Sequence, residues 1–214
     1  SRGIGRAAAV ALAQAGWHVV AVARAQKALE ALDDTVRSET GKGLTLVPLD
    51  LKDGDSIDAL AVVLFERFGR LDGLCHAAAV LGLLTPVTHA DPKMLADVFA
   101  MNTMASFRLI RAMDPLLRRA DPPGRAVFFT SGAAQAPRAY WAPYAASKAA
   151  QEAIVRAYAE EVAFTGVRVN LLSPGPVRTR MRADAFPGED PMSLPPPEAI
   201  APLVLELLDP GLTR

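Results

Sequence analysis

The chain has 214 residues, of which 51% are hydrophobic and 21% charged, and its 23 basic side chains balance its 23 acidic ones. This composition is typical of a folded globular protein and excludes a disordered segment. The balanced charge argues against a nucleic-acid partner, and no apolar run is long enough to span a membrane. The single cysteine, Cys75, cannot form an internal disulfide, so we expect a cytoplasmic protein.

Short apolar runs alternate along the chain with longer segments that favour helix. An Ala-rich stretch at residues 6–15 predicts the first helix, which ends at Gly16. Strands are predicted at residues 18–23, 44–49, 71–77, 126–130 and 167–172. Further helices are predicted at residues 25–39, 56–68, 92–119, 143–164 and 198–208.

This alternation indicates βαβ units and therefore an α/β fold with a doubly wound parallel sheet. No repeat or low-complexity linker divides the chain, so we predict a single domain over residues 1–214. Ligands bind such sheets beyond the carboxyl ends of the strands. The candidate functional residues should therefore lie at those ends or on the helices that follow.

Two glycines precede the first predicted helix, in the segment Ser1-Arg2-Gly3-Ile4-Gly5. Glycine lets the backbone approach a pyrophosphate, whose negative charge is favoured at a helix N-terminus. A glycine pair in this position is more often a simple turn. This motif by itself leaves both interpretations open.

Tyr144 and Lys148 are four residues apart in a predicted helix and therefore share one face. A nearby ammonium favours the phenolate and should lower the pKa of Tyr144, which makes the pair suitable for general acid/base chemistry. Ser131 ends a predicted strand, where its hydroxyl could bond the same substrate oxygen. Taken singly, the pair could form an ordinary helix face, and Ser131 could be a turn or cap residue.

Taken together, these motifs resemble those of the short-chain dehydrogenase/reductase family, in the family's order and across nearly the whole chain. Ser131, Tyr144 and Lys148 match its catalytic Ser–Tyr–Lys set at the usual spacing, and Asn102 matches the asparagine that completes the tetrad. Residues 140–148 and 181–191 are most similar to a group of bacterial reductases whose substrates are poorly defined.

The resemblance implies a Rossmann fold and a nicotinamide cofactor. The first five residues resemble the latter half of the family's Thr-Gly-x-x-x-Gly-x-Gly loop, and Asp50-Leu51 matches its adenine-contacting position. Pro174-Gly175-Pro176-Val177-Arg178-Thr179 is similar to the family's Pro-Gly-x-x-x-Thr segment. The predicted cofactor residues are Ser1, Arg2, Gly3, Ile4, Gly5, Arg24, Asp50, Leu51, Ala77, Ala78, Tyr144, Lys148, Pro174, Gly175, Val177 and Thr179.

The residues after the strand at 18–23 bear on the choice of cofactor. A carboxylate there would bind a ribose 2′-hydroxyl and repel a 2′-phosphate. This chain has Ala23 and then Arg24, with Arg2 in the glycine loop, so NADP(H) is favoured over NAD(H). Arg24 could also be a solvated residue at the start of a helix.

The resemblance implies hydride transfer between the nicotinamide and a small carbonyl or alcohol substrate. Tyr144 would be the general acid/base, Lys148 would lower its pKa and hold the ribose, and Ser131 would orient the substrate oxygen. Asn102 would support a water chain that replenishes the proton. By family analogy we expect a homodimer or homotetramer. Residues 180–197 are rich in proline and hold several apolar side chains, so they should form a mobile lid over a largely apolar pocket, or else a plain connection.

The chain departs from the family pattern in three places. His76-Ala77-Ala78-Ala79 replaces Asn-Asn-Ala-Gly, which puts adenine-side contacts and sheet support in doubt. We interpret His76 as a strand-end residue and predict no metal site, because no second ligand stands at metal spacing. The chain also starts inside the glycine loop and stops before the family's last strand. We therefore expect a chain truncated at both ends that lacks the first and last family strands.

Two other functions remain open. A non-catalytic dinucleotide-binding sensor or scaffold gains support from residues 76–79, whereas the complete Ser131–Tyr144–Lys148–Asn102 set favours an enzyme. A nucleotide-sugar epimerase or dehydratase can share the Tyr-x-x-x-Lys motif, but such enzymes usually add a C-terminal substrate domain.

Overall fold

The computed structural model describes residues 1–212, in which five parallel strands alternate with eight α-helices. The strands are β1 (Val20–Ala23), β2 (Thr45–Pro48), β3 (Gly73–His76), β4 (Arg125–Phe129) and β5 (Arg168–Leu172). The helices are α1 (Gly3–Gln14), α2 (Gln26–Thr40), α3 (Gly54–Phe68), α4 (Pro92–Phe99), α5 (Ala105–Arg118), α6 (Ala142–Glu161), α7 (Arg180–Ala185) and α8 (Ala201–Leu208). All five predicted strands are present, so the predicted α/β architecture is confirmed.

The strands form two parallel sheets. In one, β1 pairs with β2, with Val20 opposite Thr45; in the other, β4 lies between β3 and β5. The sequence predicts a parallel sheet that lacks the family's first strand, and within residues 1–212 no ladder joins β1 to β3. Val22 of β1 and Leu74 of β3 nevertheless pack against one apolar cluster of α3 and α5. The layer of α3 and α5 thus spans both sheets.

Alternate residues of β4 face opposite helix layers. Val127 and Phe129 pack against α1 and α8, whereas Ala126 and Phe128 pack against α5 and α6. Successive side chains of a strand point to opposite faces, so burial of both faces explains why this segment is continuously apolar. Within residues 1–212, no helix combines the length and apolarity needed to cross a bilayer.

The helix predicted over residues 92–119 is divided into α4 and α5 by one π-helical turn, Ala100–Met104. Pro115 lies within α5 and does not mark the division. The wide turn contains Thr103, whose hydroxyl donates to the Ser147 carbonyl of α6 at 2.9 Å. Such turns are rare and often lie at functional sites.

Candidate active site

A cavity of about 990 Å³ lies at the carboxyl ends of β3, β4 and β5. The loops that leave these strands line it, together with the start of α1 and the first turns of α6. This is the edge at which a doubly wound sheet binds its ligand. The predicted residues that line the cavity are Arg2, Gly3, Ile4, Gly5, Ala77, Ser131, Tyr144, Lys148, Pro174, Gly175, Val177 and Thr179.

The other predicted residues lie outside the cavity wall. Arg24 and Asp50 follow β1 and β2, and their side chains are 3.9 Å apart on the exposed surface. Leu51 packs against the cluster of α3 and α5, and Ser1 and Ala78 are half-buried beside wall residues. The structure thus brings the two adenine-side candidates Arg24 and Asp50 together, and their role in cofactor binding stays a prediction.

The glycine loop presents backbone to the cavity. Gly3 begins α1 with a φ of +53°, in the left-handed region where glycine is favoured, and no side chain caps the helix at Arg2. A Cβ on Gly5 would lie 3.5 Å from the Ala77 Cβ, so loop and strand end are in close contact. The first N–H groups of α1 can therefore bind an anion, which fits the pyrophosphate of a dinucleotide.

Tyr144 and Lys148 lie one turn apart on α6, with only 7% and 2% of their surfaces exposed. Burial raises the pKa of Tyr144, and interaction with the Ser131 hydroxyl opposes this rise. Burial also lowers the pKa of Lys148 to about 8, against the opposing effect of Glu152. At neutral pH the phenol is therefore protonated and most of the lysine is charged.

The expected lowering of the Tyr144 pKa by Lys148 is not met. Lys148 Nζ donates to the Phe129 carbonyl and to Gln151 Oε1, both at 2.9 Å, and among the described residues it makes no bond to the phenol. The ammonium is thus held against β4 and the next turn of α6. Burial consequently outweighs the other influences on Tyr144 and leaves its pKa above the ordinary value.

Asn102 is fully buried in the π-helical turn and does not line the cavity. Its Oδ1 accepts from the Val80 backbone N–H at 2.8 Å, and its Nδ2 donates to the Val80 carbonyl at 2.9 Å. Nδ2 also donates to Ser147 Oγ at 2.9 Å. Its side chain therefore holds the loop after β3 against α6 and positions the wall of the cavity.

His76 ends β3 as a buried side chain, 3% exposed, with its ring 5.9 Å from that of Phe128. Burial, with a smaller effect of the Lys148 charge, lowers the pKa of His76 to about 3. Its Nε2 has no hydrogen-bond partner among the described residues. Across residues 1–212, His, Cys, Asp and Glu side chains form no cluster of three or more that could hold a metal ion.

An aromatic contact links the Tyr144 side of the cavity to α7. Trp141 lies edge-on to Tyr144 with ring centroids 6.0 Å apart, and its other neighbour, Phe186, is 5.6 Å away. Arg182 Cζ lies over the Phe186 ring, 3.8 Å from its centroid, and the Arg182 guanidinium pairs with Glu189. Trp141 was not predicted as a site residue, although its position three residues before Tyr144, at the start of α6, would have indicated it.

The family model for short chain dehydrogenase matches residues 1–190. The chain belongs to the short-chain dehydrogenase/reductase family. This confirms the resemblance drawn from the motifs, and the members with which the chain compares are oxidoreductases. The uncharacterized oxidoreductase YciK of Escherichia coli K12 is 38% identical over 210 residues, which cover 97% of this chain and 82% of that protein.

Further relatives of this dehydrogenase bear on the cofactor. The NADPH-dependent pterin aldehyde reductase of Arabidopsis thaliana is 31% identical over 186 residues, 87% of this chain and 75% of that protein. A candidate short chain dehydrogenase from Shigella flexneri, solved with NADP, superposes with a TM-score of 0.92 at 38% identity. A counterpart from Escherichia coli CFT073, solved with NADPH, gives the same TM-score and identity. Each alignment covers 96% of this chain and 86% of the other.

Proposed function

We propose that this short-chain dehydrogenase/reductase transfers a hydride between the nicotinamide of NADP(H) and a small carbonyl or alcohol substrate, with Tyr144 as general acid/base. One observation carries the proposal. Buried Tyr144, facing the Ser131 hydroxyl and one turn from buried Lys148, lines the same cavity as the uncapped start of α1.

The cofactor would supply the hydride, and this chain's residues would hold and orient it. The first turn of α1 would bind the pyrophosphate, and the segment that ends at Thr179 would bind the carboxamide. Arg2 and Arg24 would bind the 2′-phosphate, and Asp50 would contact the adenine. The NADP and NADPH bound by the two structural relatives support this preference.

In the reduction direction, Tyr144 would donate its phenolic proton to the substrate oxygen. The raised pKa of Tyr144 keeps that proton in place at neutral pH. The Ser131 hydroxyl would orient the same oxygen, and the Lys148 ammonium would bind the ribose hydroxyls and stabilise the phenolate left behind. In alcohol oxidation the proton would move in the opposite direction.

The substrate would enter beneath residues 180–197. In this segment Phe186, at the end of α7, lies against Trp141 at the cavity wall, which supports a lid over a largely apolar pocket. We further propose a homodimer or homotetramer paired through α5 and α6. Phe107 on α5 is 42% exposed, and Met104 in the π-helical turn just before α5 is 46% exposed. A cytoplasmic location remains part of the proposal.

The test is NADPH oxidation with a panel of aldehydes and ketones. Turnover by the wild type should fall by about 100-fold or more in Tyr144→Phe, because the variant cannot donate the proton. Tyr140→Phe is the matched control, since the same hydroxyl is removed from a side chain that is 57% exposed. Tight NADPH binding with no turnover on any compound would instead indicate the non-catalytic sensor or scaffold.

A further inference from the structure

A chain of buried hydrogen bonds leads from Lys148 away from the cavity. Lys148 Nζ donates to Gln151 Oε1 at 2.9 Å, and Gln151 Nε2 donates to Ser106 Oγ, also at 2.9 Å. Ser106 Oγ donates in turn to the Asn102 carbonyl at 3.1 Å. Gln151 and Ser106 are both 0% exposed, so this chain links α6 to α5 inside the protein.

The ammonium sets the direction of every bond in this chain. An ammonium can only donate, so the oxygen of the Gln151 amide has to face Lys148 and its nitrogen has to face Ser106. Ser106 Oγ then accepts from that nitrogen and donates its own proton to the π-helical turn. A reversed amide would place an N–H group against a buried cation, which is a costly arrangement.

Gln151 places a polar amide in the protein interior, one turn from an apolar position of the same helix. Val155, one turn further along α6, is 1% exposed and fills the apolar cluster beneath the helix. A buried amide is tolerated only when its partners are present, and those of Gln151 are a charged amine and a hydroxyl. Its carbonyl oxygen is one of two acceptors of the ammonium, the other being the Phe129 carbonyl.

We propose that Gln151, anchored by Ser106, is a positioning residue that keeps the buried Lys148 side chain charged and in place beside Tyr144. Its catalytic consequence rests on the proposed function, since Lys148 would act on ribose and phenolate. Its electrostatic consequence does not, because it concerns the proton of Lys148 in the protein alone.

Several titratable or charged groups surround Lys148. Glu152 and Tyr144 lie on the same helix, His76 reaches it from β3, and Arg2 lies on the cavity wall. Glu152 raises the pKa of Lys148, whereas burial lowers it to about 8. His76 and Tyr144 are neutral at pH 7, since burial lowers the pKa of the imidazole and raises that of the phenol. Among the described residues, β4 and α5 bring only neutral groups to the hydrogen-bond chain of Lys148. These are the Phe129 carbonyl and the Ser106 hydroxyl.

Two substitutions of Gln151 should move the proton of Lys148 in opposite directions. Gln151→Leu removes an acceptor of the charged form and should lower the pKa of Lys148 by about one unit. Gln151→Glu places a carboxylate against the ammonium and should raise it by about one unit or more. Ser106→Ala should act like a weaker Gln151→Leu, because it removes the anchor of the amide.

The first readout is the free energy of unfolding in urea as a function of pH, with each protein compared with its Lys148→Met derivative. The folded pKa of Lys148, about 8, lies below the value of about 10.5 expected after unfolding. The unfolded chain therefore binds more protons between these values, and stability rises with pH across that window. The pH at which this rise begins, the lower edge of the window, reports the folded pKa of Lys148. It should move down in Gln151→Leu and up in Gln151→Glu.

Gln26→Leu is the matched control, since Gln26 is exposed on α2 and bonds to Glu30. In Gln26→Leu the free energy of unfolding should rise over the same pH window as in the wild type. The second readout is the alkaline limb of the pH profile for NADPH-dependent reduction, which should move in the same direction as the window in each Gln151 variant. A residue that serves packing alone would leave both readouts in place.

If the pH window in which stability rises is the same in both Gln151 variants as in the wild type, the inference is overturned. If Gln151→Leu does not fold, Gln151→Glu and Ser106→Ala decide it by the same measurement. If the pH window moves in the Gln151 variants but the wild-type protein turns over no carbonyl compound, the inference for Lys148 is supported and the proposed function is overturned. The two failures are therefore distinguishable.

Discussion

Gly3 and Thr179 come from opposite ends of the chain, yet a Cβ built on Gly3 would lie 3.5 Å from Cγ2 of Thr179. This contact joins the start of α1, proposed to bind the pyrophosphate, to the loop after β5, proposed to bind the carboxamide. The two segments therefore form one wall. A distance of 3.5 Å is ordinary van der Waals contact. The demand for glycine at this position therefore comes from its φ of +53°.

Gly3→Ala should weaken NADPH binding by about tenfold, because relief of the backbone strain moves the loop out of position. The strain should also cost roughly 1–2 kcal/mol of stability. Gly41→Ala is the matched control, since Gly41 has a φ of +72° with open space around it at the end of α2. Fluorescence titration with NADPH and urea unfolding measure the two effects. Equal NADPH affinity in both variants would contradict the proposed role of Gly3.

Arg24→Ala should raise the Kd for NADPH by about 10- to 100-fold and leave that for NADH nearly unchanged. A charge-assisted bond to the 2′-phosphate contributes roughly 1.5–3 kcal/mol, and every 1.4 kcal/mol is tenfold. Arg70→Ala removes a comparable exposed arginine, paired with Asp72, and should alter neither affinity. A parallel loss of NADPH and NADH affinity in Arg24→Ala would show that this residue does not select the cofactor.

His76 should make the protein acid-sensitive. Its folded pKa of about 3 lies below the unfolded value of about 6.5, so the unfolded chain binds more protons between these values. Stability is therefore lost as the pH falls below about 6.5, at about 1.4 kcal/mol per pH unit from this group alone.

The measurement is urea unfolding between about pH 6.5 and pH 4.5. Over this range the difference in the free energy of unfolding between wild type and His76→Gln should change with this slope. His89→Gln serves as the control, because His89 is exposed in a single helical turn before α4. A constant difference between wild type and His76→Gln over this range would mean that His76 is free to become protonated in the folded protein.

Phe186→Ala should raise KM for carbonyl substrates more than it lowers kcat. The substitution removes the contact with Trp141 and the ring beneath Arg182, so α7 loses its attachment near Tyr144. Phe164→Ala is the control, since Phe164 is 99% exposed beyond α6. Steady-state kinetics on one aldehyde of the active panel decide the point, and an unchanged KM would exclude Phe186 from the substrate-binding wall.

Much of the molecule follows from local pattern. The strand alternation predicts all five strands, and β5, predicted over residues 167–172, is observed as Arg168–Leu172. Ser131, Tyr144 and Lys148 meet at one cavity because a strand end and the following helix meet at the carboxyl edge of any parallel sheet. Spacing within a helix and the direction of a strand are local properties, and the order of residues reveals them.

The hydrogen-bond partners of the site residues are visible only in the tertiary structure. Asn102 bonds to Val80 and Ser147, and Lys148 turns to Gln151 and the Phe129 carbonyl. The π-helical turn likewise escaped prediction. A side chain adopts the rotamer that satisfies its polar atoms among whatever neighbours surround it. Those neighbours come from distant parts of the chain, so neither residue type nor spacing discloses them.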